Sequence, residues 1–245
     1  LARNPSPLPK PPYVSQLGPQ YQGKPPATIS TPPKEPTKED LDALRKQGLR
    51  PSIVGCFLND KKILLVYQKT FNLWQLPQGG IENNEDLFEA FDKELSGEVT
   101  EDFVKSADKQ KTLIGTDKIE FPPSKQGLRD MKTDSGEKVT MKGKFYYFVT
   151  VQTPTTTITT DATEFSDYKW LNFEESYKLI KETNTGGKLR IYTQLLHLLK
   201  DKGLLLSNQK DNGPTAQNPR QFNSGPGLRT DASQNRRPPI NRVQS

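Results

Sequence analysis

The sequence contains one cysteine, one histidine and no long apolar run, and each shortage excludes a class of protein. Cys56 alone allows neither a disulfide framework nor a cysteine metal site. The longest aliphatic run, residues 63–67, is far shorter than the roughly 20 residues that a membrane-spanning helix needs. No apolar segment follows the first residues, so no signal peptide is expected. We therefore expect no membrane association, and a reducing compartment, either the cytoplasm or an organellar matrix.

Hydrophobic residues are also scarce, at 31% of 245 residues, which is low for a chain folded along its whole length. Of the 21 prolines, 11 fall in residues 1–36, a segment expected to be extended and disordered. We interpret it as a linker, and an SH3-type ligand is the alternative. Residues 206–245 are rich in Asn, Gln, Pro, Gly and Arg and are predicted to be disordered. One folded domain is therefore expected over residues 37–205.

The net charge of +6 belongs to the two ends of the chain. Residues 1–36 carry +3 and residues 206–245 carry +4, which leaves −1 for the domain between them. Basic tails of this kind act as soluble spacers, or they add a weak, salt-dependent attraction to a polyanion such as RNA. The sequence leaves both interpretations open.

Hydrophobic periodicity predicts several strands, with a polar loop at residues 122–138. The strands are expected at residues 53–58, 62–68, 112–121, 139–151 and 169–171. Helices are expected between and after them, and together they predict an α+β domain in which a mixed sheet is covered by helices. The helices are expected after a capping box at Thr37, after Asn83 or Asn84, within residues 101–110, after Asn172, and from Leu189 towards Gly203.

Residues 74–98, WQLPQGGIENNEDLFEAFDKELSGE, contain the first indication of chemistry. If Asn83 or Asn84 caps the helix, Glu85 and Asp86 fall in its first turn, where the helix dipole favours acidic residues. Glu94 and Glu98 lie four residues apart and therefore project from the same side. Two like charges at this spacing repel by a few tenths of a kcal/mol, roughly the interaction energy of an ordinary surface pair. A cation bound by both carboxylates would turn this repulsion into a net attraction.

This stretch resembles the conserved box of the Nudix family. The residues read Gly79-x5-Glu85-x7-Lys93-Glu94-Leu95-x-Gly97-Glu98, and the family pattern is Gly-x5-Glu-x7-Arg-Glu-U-x-Glu-Glu-x-Gly-U, with U a bulky aliphatic residue. The resemblance covers residues 48–202. Within the family, the sequence is similar to the branch of RNA 5′-pyrophosphohydrolases and dinucleoside polyphosphate hydrolases. The further segments that carry it are Arg50-Pro51-x3-Gly55, WQLPQGGI at 74–81, KGKFYYF at 142–148 and EFSDYKW at 164–170.

The resemblance implies a Nudix-like α/β/α sandwich that hydrolyses a phosphoanhydride in a nucleoside diphosphate-linked substrate. The implied substrates are a 5′-triphosphate RNA end or a dinucleoside polyphosphate, and the implied cofactor is Mg²⁺ or Mn²⁺. Such an ion neutralises phosphate oxygens, activates water and takes one or two carboxylates from the protein. The implied metal ligands are the Gly79 carbonyl, Glu85, Glu94 and Glu98.

Other residues are assigned to the reaction and to the substrate by the same resemblance. Glu94 and Glu98 are the catalytic carboxylates, and Glu164 is expected as a further metal ligand or as the general base. Arg50 is the first candidate for binding a substrate phosphate. Lys69, Lys142 and Lys144 are further candidates.

Three residues depart from the family pattern. Lys93 replaces an arginine, which keeps the charge but loses the bidentate fork. Gly97 replaces the first glutamate of the Glu-Glu pair, and a mid-helix glycine costs about 1 kcal/mol relative to alanine. Thr100 replaces the helix-ending glycine, so a different helix end is expected. The loss at Gly97 favours an alternative function, a module that binds nucleotide or RNA without turnover.

Overall fold

The computed structural model describes residues 33–159, 163 and 165–208, which form nine β-strands and five α-helices. The predicted α+β fold, a mixed sheet flanked by helices, is confirmed. The strands are β1 (Leu49–Asn59), β2 (Lys62–Gln68), β3 (Leu73–Gln75), β4 (Gln78–Gly80), β5 (Thr112–Glu120), β6 (Asp130–Lys132), β7 (Lys138–Thr140), β8 (Gly143–Gln152) and β9 (Asp167–Leu171). The helices are α1 (Lys38–Lys46), α2 (Leu87–Val99), α3 (Glu101–Ser106), α4 (Phe173–Thr183) and α5 (Gly186–Asp201).

Seven strands form the main sheet, in the order β3-β2-β1-β8-β5, with β4 paired to β1 and β9 paired to β2. The pairing of β1 with β8 is parallel, and the other pairs are antiparallel. Strands β6 and β7 form a separate hairpin. The central strand β1 is buried on both sides, which explains why its sequence is a nearly continuous apolar run.

Each face of the sheet packs against its own helices. Ile53 and Phe57 of β1 lie in a cluster with buried residues of α1, α2 and α3. Val54 and Cys56 point to the other face and pack with α4 and α5. The Cys56 thiol is fully buried, and this burial raises its pKa.

The start of α2 differs from the prediction. Its N-cap is Asp86, whose carboxylate accepts hydrogen bonds from the N–H groups of Phe88 and Glu89, at 3.0 and 2.8 Å. Asn84 instead has a positive φ of 62°, so it belongs to the loop. Glu85 therefore precedes the helix, and the prediction that Asn83 or Asn84 caps it is wrong.

The predicted loop at 122–138 and the predicted strand at 139–151 are also partly wrong. Residues 130–140 form the β6–β7 hairpin, and Met141 and Lys142 separate it from β8. Met141 donates its N–H to the Arg129 carbonyl, whereas Lys142 donates to the Gly48 carbonyl. Because neighbouring N–H groups find acceptors in different segments, one continuous strand does not form.

Other expectations about local structure are confirmed. Thr37 and Asp40 form a capping box on α1, and Asn172 and Glu175 form one on α4. None of the helices in residues 33–208 that the structure describes is long and apolar enough to cross a membrane. The predictions for residues 1–32 and 209–245 lie outside the described residues, and the domain boundaries stay predictions.

Candidate active site

Strand β4 and helix α2 make a close contact through Gly79. A β-carbon added to Gly79 would overlap Cβ of Glu94 and lie 2.9 Å from its Cγ and 3.0 Å from its Oε2. Gly79 therefore has no side chain because that of Glu94 occupies the space. The glycine is not required by a positive φ, since it is an extended residue of β4 and not part of a turn.

The next glycine makes the equivalent contact with Arg50. A β-carbon on Gly80 would overlap the Arg50 guanidinium, with Cζ at 2.7 Å. Successive residues of a strand face opposite sides, so Glu94 and Arg50 lie on the two sides of β4. Arg50 also forms an ion pair with Glu82 at 2.9 Å, and its side chain remains 33% exposed.

Arg50 has a second cation beside it. In the parallel β1–β8 ladder, Arg50 is the register partner of Lys144, and neighbouring strands are about 4.8 Å apart. Burial and the nearby positive charges of Arg50, Lys188 and Arg129 lower the pKa of Lys144 to about 8. Arg50, Lys144 and Lys188 together are suited to a polyanionic ligand.

The charge of Glu98 acts on two of these cations, Lys144 and Lys188. The Oε2 atom of Glu98 is buried. The negative charge of Glu98 acts to raise the pKa values of Lys144 and Lys188, although burial lowers both on balance. On α2, Glu94 therefore lies against Gly79, and the charge of Glu98, one turn later, acts on lysines from β8 and α5.

Helix α5 holds the segment that precedes the box. Lys188 donates to Oε1 of the buried Gln75 at 2.8 Å, and the Tyr192 hydroxyl is 3.1 Å from Oε1 of Gln78. Asn184, just before the helix, donates to the Trp74 carbonyl at 2.8 Å. Three contacts therefore fix this segment from a distant part of the chain.

Glu85 is engaged within the loop. It accepts the Glu82 N–H at 3.0 Å and the Lys93 ammonium at 2.5 Å. Lys93 also approaches Glu94 at 3.9 Å. The lysine thus reaches both carboxylates, and Glu85 ties the loop to α2.

Gly97 and Thr100, which differ from the family pattern near the end of α2, have different surroundings. Gly97 is exposed, and a β-carbon there would meet nothing within 4 Å. Thr100 has φ 82° and ψ 144°, a region that only glycine adopts without strain. As expected, α2 ends differently from a helix closed by glycine, because Thr100 is outside the left-handed helical conformation and α3 begins at the next residue.

The donor set fits a hydrated, hard divalent cation. No three His, Cys, Asp or Glu side chains within the described residues form a metal-binding group. Glu94 and Glu98 would supply two carboxylates, and the absence of a side chain at Gly79 leaves room for the first of them. Mg²⁺ typically takes one or two carboxylates and completes its shell with water and phosphate oxygens.

Some predicted residues are not joined to this group. Lys69 is exposed in a short turn after β2, and Lys142 is exposed between β7 and β8. Among the described residues, neither has a side-chain hydrogen bond or ion pair with Glu94 or Glu98. Glu164 lies outside the described residues, so its assignment stays a prediction.

Sequence reasoning assigned no part in the site to Lys188, Glu82 or Tyr192. Lys188 follows a glycine pair at the start of α5, and nothing in its spacing relates it to Gln75, 113 positions earlier. Glu82 lies inside the matched box at a position that the family pattern leaves variable. His197 of α5 is exposed and packs edge-on against Phe173.

Two carboxylates lie one turn apart on α2, and the charge of the second, Glu98, acts on lysines from β8 and α5. This combination is suited to a metal-bound phosphorylated ligand. The sequence comparison agrees with this interpretation, since the family described as the NUDIX domain matches residues 49–194. The chain belongs to the Nudix family. The comparison with curated proteins finds no match.

Solved structures with a similar fold include several Nudix proteins. The dihydroneopterin triphosphate pyrophosphohydrolase of E. coli is 17% identical, with a TM-score of 0.43, over 61% of this chain and 97% of that one. An Ap4A hydrolase of C. elegans is 15% identical, with a TM-score of 0.39, over 63% and 97%. The Nudix domain of NrtR from Shewanella oneidensis, complexed with ADP ribose, is 14% identical, with a TM-score of 0.39, over 63% and 88%. At these values the likenesses carry no information about the substrate.

Proposed function

We propose that this protein is a metal-dependent hydrolase that cleaves a phosphoanhydride bond in a nucleoside diphosphate-linked substrate. The observation that carries the proposal is the position of Glu98. It lies on the same helix as Glu94 and within electrostatic reach of Lys144, the register partner of Arg50. Glu98 is therefore the carboxylate that connects the proposed metal ligands of α2 with the cations proposed to bind phosphate.

In this function, Glu94 and Glu98 would hold Mg²⁺ or Mn²⁺, and the Gly79 backbone carbonyl would be a further ligand. The bound ion neutralises phosphate oxygens and lowers the pKa of a water molecule. Glu85 maintains the loop through Lys93, and we assign it a supporting part in the metal site. Glu164 is proposed as a further ligand or general base on the family resemblance alone.

The cations bind and orient the substrate. The Arg50 guanidinium donates in a fixed fork, which matches phosphate oxygens. It must exchange its ion pair with Glu82 for the substrate, and its partial exposure permits this exchange. Lys144 adds a point charge beside it, while Lys69 and Lys142 are proposed as outer contacts.

For the substrate we propose a 5′-triphosphate RNA end or a dinucleoside polyphosphate. Support comes from the order of the motifs around Arg50, Gly79 and Lys144, which resembles the branch acting on these compounds. Both substrates place several negative charges near a reacting phosphate. The cations of β1, β8 and α5 match this feature.

The test is a screen of the full chain against capped, triphosphorylated and dinucleoside substrates, with Mg²⁺ or Mn²⁺, for released phosphate, pyrophosphate or nucleotide. Glu98→Gln should lower kcat at least about a hundredfold, since losing a catalytic charge contact costs several kcal/mol. The matched control is Glu101→Gln, an exposed carboxylate three positions later. Unchanged turnover in Glu98→Gln contradicts the assignment.

Gly97 favours a second candidate function, in which the domain binds nucleotide or RNA without turnover. Gly97 stands where the family pattern has a glutamate. Of the carboxylates that the pattern places near the end of α2, only Glu94 and Glu98 therefore remain. Calorimetric titration with the same substrates separates the two candidates. Binding without product release at saturating metal supports the module, whereas steady product release supports the enzyme.

A further inference from the structure

A cavity of about 510 Å³ lies beside Arg50, between β1, the loop after β4 and the segment that forms the β6–β7 hairpin. We call it the hairpin cavity. Its volume is within the range of about 300–1,000 Å³ that is usual for small-molecule sites. Ile81, Met131 and Met141 supply apolar lining. The cavity therefore has the size and mixed character that a nucleotide requires.

The charges that line the hairpin cavity leave a net positive excess. Arg50 is paired with Glu82, and Asp130 is paired with Lys138 at 2.7 Å. Arg129 and Lys132 also line the cavity and are exposed. Within the described residues, no carboxylate forms an ion pair with either of them. Two cations are thus available to an anionic ligand.

A network of polar contacts fixes the hairpin in place. Arg45 is 3% exposed and donates to the Ile81 and Glu82 carbonyls, at 3.0 and 2.7 Å, and to Asp134 at 3.1 Å. Asp134 also accepts a hydrogen bond from Asn83 at 2.7 Å. One side of the hairpin cavity is therefore tied to the loop that leads into α2.

The same network relates the hairpin cavity to the proposed active site. The Glu82 carbonyl accepts from Arg45, while its carboxylate pairs with Arg50, so this loop residue borders both regions. Arg129 lies close enough for its charge to lower the pKa of Lys144. Arg50 is the register partner of Lys144 and also lines the hairpin cavity together with Arg129.

We propose that the hairpin cavity binds a second nucleotide unit of the substrate, with Arg129 and Lys132 contacting its phosphate and the methionines its base. This inference rests on the proposed function, because it extends a substrate held at α2. The chemistry recognised is a nucleoside 5′-phosphate. It belongs either to the next nucleotide of an RNA or to the far end of a dinucleoside polyphosphate.

The experiment compares three substrates on the full chain with Mg²⁺. They are ATP, a two-nucleotide RNA of adenosines with a 5′-triphosphate, and diadenosine tetraphosphate. The variant is Arg129→Ala with Lys132→Ala. The control, Lys125→Ala with Lys109→Ala, removes the same charge from exposed positions outside the cavity lining. The test variant should lose about tenfold or more in kcat/KM on at least one two-nucleoside substrate, as expected for two lost charge-assisted contacts, and less than about twofold on ATP.

The pattern of loss identifies the source of the second unit. Loss on the RNA dinucleotide alone indicates RNA, and loss on the tetraphosphate alone indicates a dinucleoside polyphosphate. An equal loss on ATP overturns the proposal, and so does an unchanged kcat/KM on both two-nucleoside substrates. If kcat/KM is unchanged on both two-nucleoside substrates, turnover by the wild type still supports the proposed hydrolase function.

If the wild type turns over none of the three compounds, the proposed hydrolase function fails on these substrates while the hairpin cavity is still tested. Calorimetric titration with the same compounds then decides. Weaker binding of a two-nucleoside compound by the test variant than by the control, with ATP unaffected, supports the cavity. Equal binding by test and control variants overturns it.

Discussion

The α-carbon of Gly79 lies directly against the side chain of Glu94, and a β-carbon there would overlap that of the glutamate. Each β-carbon is bonded directly to its own backbone, so neither can rotate away from the other. Gly79→Ala should therefore displace Glu94 and destabilise the fold by about 1–3 kcal/mol, the usual cost of overpacking. Urea unfolding measures the stability, and Mn²⁺ titration monitored by paramagnetic broadening measures the metal site.

The control for this change is Gly97→Ala, which adds the same atom to open space on α2. It should stabilise the protein by up to about 1 kcal/mol, the helix-propensity difference between the two residues. Equal stability changes in the two variants would show that the contact between Gly79 and Glu94 carries no constraint.

Restoring the missing carboxylate tests why the site departs from the family pattern. Gly97→Glu meets no steric obstacle and places a third acidic residue near Glu94 and Glu98. We expect tighter Mn²⁺ binding and higher turnover, because another oxygen ligand increases cation affinity. Gly97→Gln is the matched control, since it has the same shape without the charge. An identical metal affinity in both variants would mean that position 97 does not face the ion.

Thr100 is a site of backbone strain that a single substitution should relieve. Its φ of 82° is costly for a β-branched residue. Thr100→Gly should raise the free energy of unfolding by about 1–2 kcal/mol, since such strain costs about 1–3 kcal/mol and glycine gives back part of it in unfolded-state entropy. Thr100→Ala keeps a β-carbon at positive φ and serves as the control in the same urea titration. Equal stabilities of the glycine and alanine variants would contradict the strain.

Local signals in the sequence were sufficient for most of the fold. The capping boxes at Thr37 and Asn172 and the apolar run of β1 depend on neighbouring residues, and these predictions are confirmed. The start of α2 was misplaced because several residues that can cap a helix occur together. Asp86 is the cap because Glu89 completes a reciprocal pair with it.

The hairpin and the partners of Glu98 could not be predicted in the same way. Residues 130–140 have weak local periodicity, and their hairpin is fixed by Arg45, 89 positions before Asp134. Lys188 reaches Gln75 only because α5 folds back over the sheet. Contacts across such separations depend on topology, which one sequence without relatives does not specify.

Lys144 gives the site a dependence on pH. Its pKa is lowered from 10.5 to about 8, chiefly by burial. Between about pH 8 and 10.5 the Lys144 side chain is protonated in the unfolded chain but neutral in the folded one. The contribution of Lys144 to the free energy of unfolding is therefore unfavourable below about pH 8, and it becomes less unfavourable as the pH rises towards 10.5. Because the free enzyme loses this phosphate-binding charge above about pH 8, kcat/KM should fall there. Lys144→Arg should move the fall to higher pH, whereas Lys142→Arg, at an exposed position, should not. Identical pH profiles in the two variants would remove Lys144 from the phosphate site.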